Sequence, residues 1–214
     1  MSQTTTQPDG AAAVDPNLPP DPSRRVWVTT ACAAGGAVGV AAAVPFVASF
    51  APSEKARAAG APVEVDISSI APGQMRTVEW RGKPVWILRR TPEQVADLSK
   101  LDPLLADPAS ERPGFTPDFA HNEYRSIRPE FFVCVGICTH LGCSPTPFLA
   151  PVQAPGLPAN WEGGFLCACH GSAFDLAGRV FKNKPAPDNL EIPPYTFSAD
   201  GSRITIGVEE AGKA

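Results

Sequence analysis

Cys138-Thr139-His140-Leu141-Gly142-Cys143 and, further along, Cys167-Ala168-Cys169-His170-Gly171-Ser172 gather four of the chain's six cysteines and two of its three histidines into two short segments. That is more ligand chemistry than one ordinary metal site needs. A structural zinc takes four ligands, commonly with cysteines spaced by two to four residues, and a Cys-x-His beside a Cys-x-x-His with two cysteines left over fits it poorly. The arithmetic suggests four metal ligands and one disulfide.

Cys138 and Cys167 as thiolates with His140 and His170 as imidazoles make the ligand set of a Rieske [2Fe–2S] cluster, in which two histidines replace two cysteines on one iron. On these motifs the chain resembles the Rieske iron–sulfur subunits of bacterial ubiquinol–cytochrome c reductases (cytochrome bc1 complexes), and the likeness covers nearly all of it. The resemblance implies one [2Fe–2S] cluster held by Cys138, His140, Cys167 and His170, with neutral imidazoles raising its potential above that of a four-cysteine cluster. It also implies a disulfide between Cys143 and Cys169 tying the two segments together, and a Ser172 hydroxyl donating to a cluster sulfide. His170 and His140 are the ligands expected to face quinol, His170 being the better candidate. A zinc site or a set of structural cysteines remains the alternative for any one of these residues taken singly.

Further departures and companions follow from the same likeness. Phe174 stands where many mitochondrial-type relatives carry a tyrosine whose hydroxyl bonds a ligand sulfur, which implies a lower potential here. Lys184-Pro185-Ala186-Pro187 resembles the proline loop that covers the cluster in this family, with Lys184 where glycine is common. Outside the site, Cys134 lies in the apolar run Phe131-Phe132-Val133-Cys134-Val135 and reads as a core side chain. Cys32 reads the same way, and His121, in a polar stretch, reads as a surface histidine.

Between Arg25 and Glu54 there is no charged residue, and Val26 to Ala51 is long enough to cross a bilayer as one helix. Ser23-Arg24-Arg25 ahead of it resembles a twin-arginine export signal. Small residues around Val47-Ala48-Ser49 leave a cleaved signal peptide as the alternative. Lys and Arg counts on the two sides are nearly balanced, so the twin arginines and the implied disulfide orient the chain. The expectation is a single-pass protein of the bacterial inner membrane, N-terminus cytoplasmic and head periplasmic. Its parts are a disordered tail (1–23), an anchor (24–51), a flexible hinge (52–62) bracketed by prolines, and a head (63–214) of ordinary domain size.

Strand signals dominate the head. Val63-Glu64-Val65-Asp66-Ile67 alternates, Val85-Trp86-Ile87-Leu88 is a short apolar run, and Phe131 to Ile137 leads straight into the first cysteine segment. Tyr195-Thr196-Phe197 and Ile204-Thr205-Ile206 flank Asp200-Gly201, a hairpin signal. One helix is expected from Thr91, with Gln94 completing a capping box, ending before Pro103. Asp102 to Asn122 and Pro145 to Gly163 read as long surface loops. The fold class is therefore mostly β, a Rieske-type antiparallel head with a cluster-binding subdomain, preceded by one N-terminal transmembrane helix.

The function implied is electron transfer as a subunit of quinol–cytochrome-c reductase, inactive alone. An electron and a coupled proton come from ubiquinol, at a site shared with cytochrome b, and the electron passes to cytochrome c1. The alternative is the small Rieske subunit of another periplasmic oxidoreductase such as arsenite oxidase. A cytosolic oxygenase ferredoxin is disfavoured by Cys143, Cys169 and the anchor. The membrane and these subunits are the expected partners; nucleic acid is not, and a net charge of −4 says little about docking.

Overall fold

Twenty-seven residues, Pro22–Ala48, form the first helix, α1. The computed structural model describes residues 22–54, 60–153, 156–158 and 161–208. It divides between Ser53 and Glu54 into two compact units. Arg24 and Arg25 lie inside α1 and not ahead of it, because Pro22 suits a first helical position and neither Ser23 nor arginine resists a helix. At 1.5 Å per residue α1 is about 40 Å long, against about 30 Å of bilayer hydrocarbon. Its most apolar 18-residue window has a mean hydropathy of 1.9, with none of that window buried. A helix apolar all round and unburied is suited to lipid. Residues 1–21 of the expected tail and 55–59 of the expected hinge lie outside the described residues.

Among the described residues, the second unit has nine short strands in three antiparallel sheets of three. β1 (Val63–Asp66), β9 (Arg203–Ile206) and β8 (Tyr195–Phe197) form one, in that order. β2 (Gln74–Trp80), β3 (Lys83–Arg89) and β4 (Phe131–Val135) form the second. β5 (Thr146–Phe148), β6 (Gly164–Cys167) and β7 (Ser172–Phe174) form the third. β2 was not signalled by sequence, because its residues are largely exposed and do not alternate cleanly. The pairing Trp80↔Lys83 leaves a two-residue turn, Arg81-Gly82, with both φ values positive at 52° and 72°. That is the primed-turn geometry whose twist matches a hairpin. β3 is buried through its middle, Val85 to Leu88, and β4 along its whole length, which is why they read as continuous apolar runs.

One core joins the three sheets. Val65, Ile204 and Ile206 enter it from the first, Ile87 and Phe132 from the second, and Phe165 and Phe174 from the third. Trp86 of β3 stacks on Phe165 of β6 with ring centroids 5.0 Å apart, so the sheet carrying the second cysteine segment is pinned to the central one.

The helix expected at Thr91 is α2, Pro92–Asp97, with the Thr91–Gln94 capping box in place. A 3-10 stretch, Leu98–Leu104, continues it through Pro103. Asp102 to Asn122 is not simply a surface loop. It contains buried Leu105, Asp107, Ser110 and Ala120, and Asn189 Nδ2 donates to Asp107 O (2.9 Å) and Ser110 Oγ (3.0 Å). Such a segment has no periodicity, because it is held by hydrogen bonds and not by an apolar face. Pro145 to Gly163 likewise contains β5 and buried Trp161.

Three arginines, Arg90, Arg125 and Arg179, are each no more than 1% exposed. Arg90 donates to the carbonyls of Tyr124 (3.0 Å) and Pro129 (2.8 Å). Arg125 donates to those of Ala177 and Leu190 (2.8 Å each). Arg179 pairs with the equally buried Asp175 at 2.7 Å. Burial pulls the Arg90 and Arg125 guanidinium groups down to about 10, which leaves them charged at neutral pH. Together they fix the turn Asp175 to Arg179 that follows β7.

Candidate metal centre

β4 leaves the core through Gly136 and Ile137 and enters the first segment at Cys138, which is 2% exposed. The loop closes on itself: the Gly142 N–H donates to Cys138 O (3.1 Å), and the Cys138 N–H donates to Cys143 O (2.7 Å). The second segment is the turn between β6 and β7, where Cys167 and Ser172 are register partners. There the Gly171 N–H donates to Cys167 O (2.9 Å). Each loop thus opens on a buried cysteine and closes four residues later at a glycine with left-handed backbone, φ 81° at Gly142 and 77° at Gly171. A side chain would strain either position.

The two histidines fall on the outer parts of these turns, His140 half-buried and His170 exposed. Their rings meet edge to face with centroids 4.8 Å apart. Beneath them Cys138 and Cys167 are both buried, and burial, with the neighbouring Cys167, pushes the Cys138 thiol up. The donors are thereby sorted by kind, sulfur inside and nitrogen outside. A buried thiol pair gives up its protons only to a cation that takes the thiolate charge. Two sulfurs on one side and two imidazoles on the other suit a two-iron centre with a different ligand pair on each iron.

Cys143 and Cys169 form a disulfide, as expected, and link the two loops. The sulfurs of Cys143, Cys167 and Cys169 all lie within 4.8 Å of one another, yet they do not make a three-cysteine metal site. Two of the three are spent in the disulfide, which leaves Cys167 as the free thiol of the group.

Ser172 is fully buried. Its Oγ accepts from the Ala186 N–H at 3.0 Å. The proline loop therefore touches the second segment. The residue just after that loop touches the first segment, through a residue that sequence reasoning passed over: Thr139 Oγ1 donates to Asp188 O at 2.6 Å. A hydroxyl between two ligands was the available signal, but its partner is 49 residues away and could not be read. Phe174 is fully buried opposite Phe165. Cys134 is fully buried in β4, and burial pushes its thiol far up; it is core. Cys32 lies in α1, exposed in that unit and not buried like Cys134. His121 Nε2 lies 3.0 Å from Thr116 O on the surface.

Residues 118–195 match the family described as the Rieske [2Fe-2S] domain. The ubiquinol–cytochrome c reductase iron–sulfur subunit of Allochromatium vinosum is 55% identical over 89% of this chain and 91% of its own length. That of Bradyrhizobium diazoefficiens is 41% identical over 87% of this chain and 95% of its own. Among solved structures, a chain of a hyperthermophilic respiratory Complex III is 27% identical, covering 83% of this chain and 98% of that one with a TM-score of 0.44.

Proposed function

This chain belongs to the family of ubiquinol–cytochrome c reductase iron–sulfur subunits, and from that premise we propose that Cys138, His140, Cys167 and His170 hold its one Rieske [2Fe–2S] cluster. The protein is the electron-transfer subunit of a quinol–cytochrome-c reductase. The observation that supports the ligand assignment is the sorting of donors by two matching turns, with buried thiols and outward imidazoles. When bound, the cluster supplies a one-electron couple whose potential the imidazoles raise.

The chain's own residues do the rest. Cys138 and Cys167, each 2% exposed, keep water from the sulfur side. His140 and His170 would each bind through one ring nitrogen and leave the other facing outward; with that outer nitrogen deprotonated, it can take the proton of a hydroquinone that gives up an electron and become a neutral imidazole. Leu141, 71% exposed beside His140, offers an apolar contact around the imidazole edge. The disulfide and the Thr139 and Ser172 hydrogen bonds hold the loops in one arrangement while electron and proton pass.

Ubiquinol binds where this subunit meets cytochrome b, and the electron continues to cytochrome c1. α1, which covers most of the segment 24–51, is the single-pass anchor in a bacterial inner membrane, and 52–62 joins it to the head at 63–214. The head lies in the periplasm and the N-terminus in the cytoplasm. A disulfide is kept in an oxidising compartment, and Ser23-Arg24-Arg25 suits export of a head already folded around its cluster.

Mild solubilisation of membranes and purification through this chain should bring down b- and c-type haem together with a Rieske-type electron paramagnetic resonance signal. A molybdenum-containing partner in their place overturns the assignment. Replacing Cys138 or Cys167 by serine, or His140 or His170 by alanine, should abolish the signal. Its survival in any of the four removes that residue from the ligand set.

A further inference from the structure

The Cys143–Cys169 disulfide has a free thiol beside it. The Cys143, Cys167 and Cys169 sulfurs all lie within 4.8 Å of one another, so Cys167 sits against a bond to which it does not belong. Cys138, the other buried free thiol of these loops, is not in that group.

Backbone contacts fix this placement. Cys167 is the last residue of β6, pairs in register with Ser172 and accepts from the Gly171 N–H at 2.9 Å, which anchors the base of the turn carrying Cys169. Cys143 is held on the other side by its carbonyl, which accepts from the Cys138 N–H at 2.7 Å. Only one side-chain torsion positions a cysteine sulfur. A small rotation of Cys167 therefore separates 4.8 Å from the roughly 3–3.5 Å of a reacting pair.

Disulfides exchange when a thiolate attacks one sulfur and the other departs. Attack on the Cys169 sulfur would close a tight ring across the single residue Ala168. Attack on the Cys143 sulfur keeps the two loops joined and expels Cys169.

We propose that Cys167, when it carries no metal, is an internal nucleophile toward the Cys143–Cys169 disulfide. The Cys167–Cys143 bond forms, the Cys143–Cys169 bond breaks, and the proton lost by the Cys167 thiol ends on Cys169. One thiol and one disulfide give one thiol and one disulfide, so no oxidant or reductant is consumed. The free thiol moves from a buried position at Cys167 to an exposed one at Cys169. This rests on the assignment of Cys167 as a ligand, since ligation is what withholds its thiolate. A chain that loses its cluster thereby closes the site with one of its own ligands.

The test compares the purified complex with the same full-length chain stripped of iron by a chelator. Each is labelled with N-ethylmaleimide, quenched in acid, digested and mapped by mass spectrometry, with fragment ions separating Cys167 from Cys169. The loaded complex should show Cys143–Cys169 and no label at Cys169. The stripped chain should show Cys143–Cys167 and a label at Cys169. Only Cys143–Cys169 in the stripped chain, or bonds to Cys138 in comparable amount, overturn the proposal; this comparison needs no variant to fold. Stripped Cys167→Ser should lose the Cys169 label, and Cys138→Ser should keep it. A Cys169 label that persists in Cys167→Ser means that another thiol makes the attack and overturns the role of Cys167. A Rieske signal that survives in Cys167→Ser overturns the ligand assignment itself, whereas its loss, with an unchanged disulfide in the stripped parent, overturns only the exchange.

Discussion

Gly136 and Ile137 lie between the last residue of β4 and Cys138, and nothing larger than glycine fits at 136. A Cβ at Gly136 would fall against the Trp86 indole, 2.7 Å from Nε1 and closer to Cε2. That indole is itself stacked on Phe165 and has nowhere to move. Gly136→Ala should cost about 1–3 kcal/mol by overpacking and reduce cluster content, since the strand feeding Cys138 must shift; denaturant unfolding and iron analysis measure the two effects. At Phe174 the question is chemical. The ring is fully buried one strand over from Phe165, and phenylalanine has no donor to offer a ligand sulfur. Phe174→Tyr should raise the midpoint potential, and a redox titration showing no rise would remove Phe174 as the cause of a lowered value.

At the scale of elements, two turns of four residues have to present their ligands to one point, and neither turn has a core of its own. The Cys143–Cys169 bond spans 26 residues of sequence, a loop for which chain-entropy arguments give about 3–4 kcal/mol. Cys143→Ser with Cys169→Ser should lower stability by roughly that amount and accelerate loss of the cluster, followed as bleaching of its visible absorption under mild reductant. The β8–β9 hairpin depends on a different device. Hydrogen bonds from Ser198 and Ser202 hold the exposed Asp200 carboxyl down to about 2, from an ordinary 3.8. Because its value in the folded hairpin is depressed, the stabilisation is complete above pH 3.8 and is lost as pH falls through about 2. The Ser202 amide shift, whose N–H donates to Asp200, should titrate with a midpoint near 2; a midpoint near 3.8 would mean that the turn bonds are absent in solution.

Across the whole head, the base of the metal centre is held by polar groups that are buried. The turn after β7 is fixed by Asp175, whose carboxylate accepts from the Ala177 N–H (3.0 Å), the Arg179 N–H (2.8 Å) and Arg179 Nε (2.8 Å). Asp175→Asn leaves Arg179 buried without its full countercharge and should cost about 3–5 kcal/mol in denaturant unfolding. Neither Asp175 nor the three arginines announces itself in sequence, since charged residues are ordinarily read as surface. By contrast the ligand segments, the apolar runs of β3 and β4, the capping box at Thr91 and the Asp200-Gly201 turn were all legible. Each is a local pattern whose chemistry lies within a few neighbouring residues. An apolar helix long enough to span a membrane is legible for the same reason, since length and composition suffice. The chain by itself therefore determined which side chains were available as donors, which segments became strands, and the family to which it belongs. Only the tertiary structure decided the sorting of thiols inward and imidazoles outward, the seating of Ala186 on Ser172 and of Asp188 on Thr139, and the burial of Arg90, Arg125 and Arg179. Those contacts join residues far apart in the chain, and their partners are mostly backbone carbonyls and amides, which every residue carries and no sequence pattern marks.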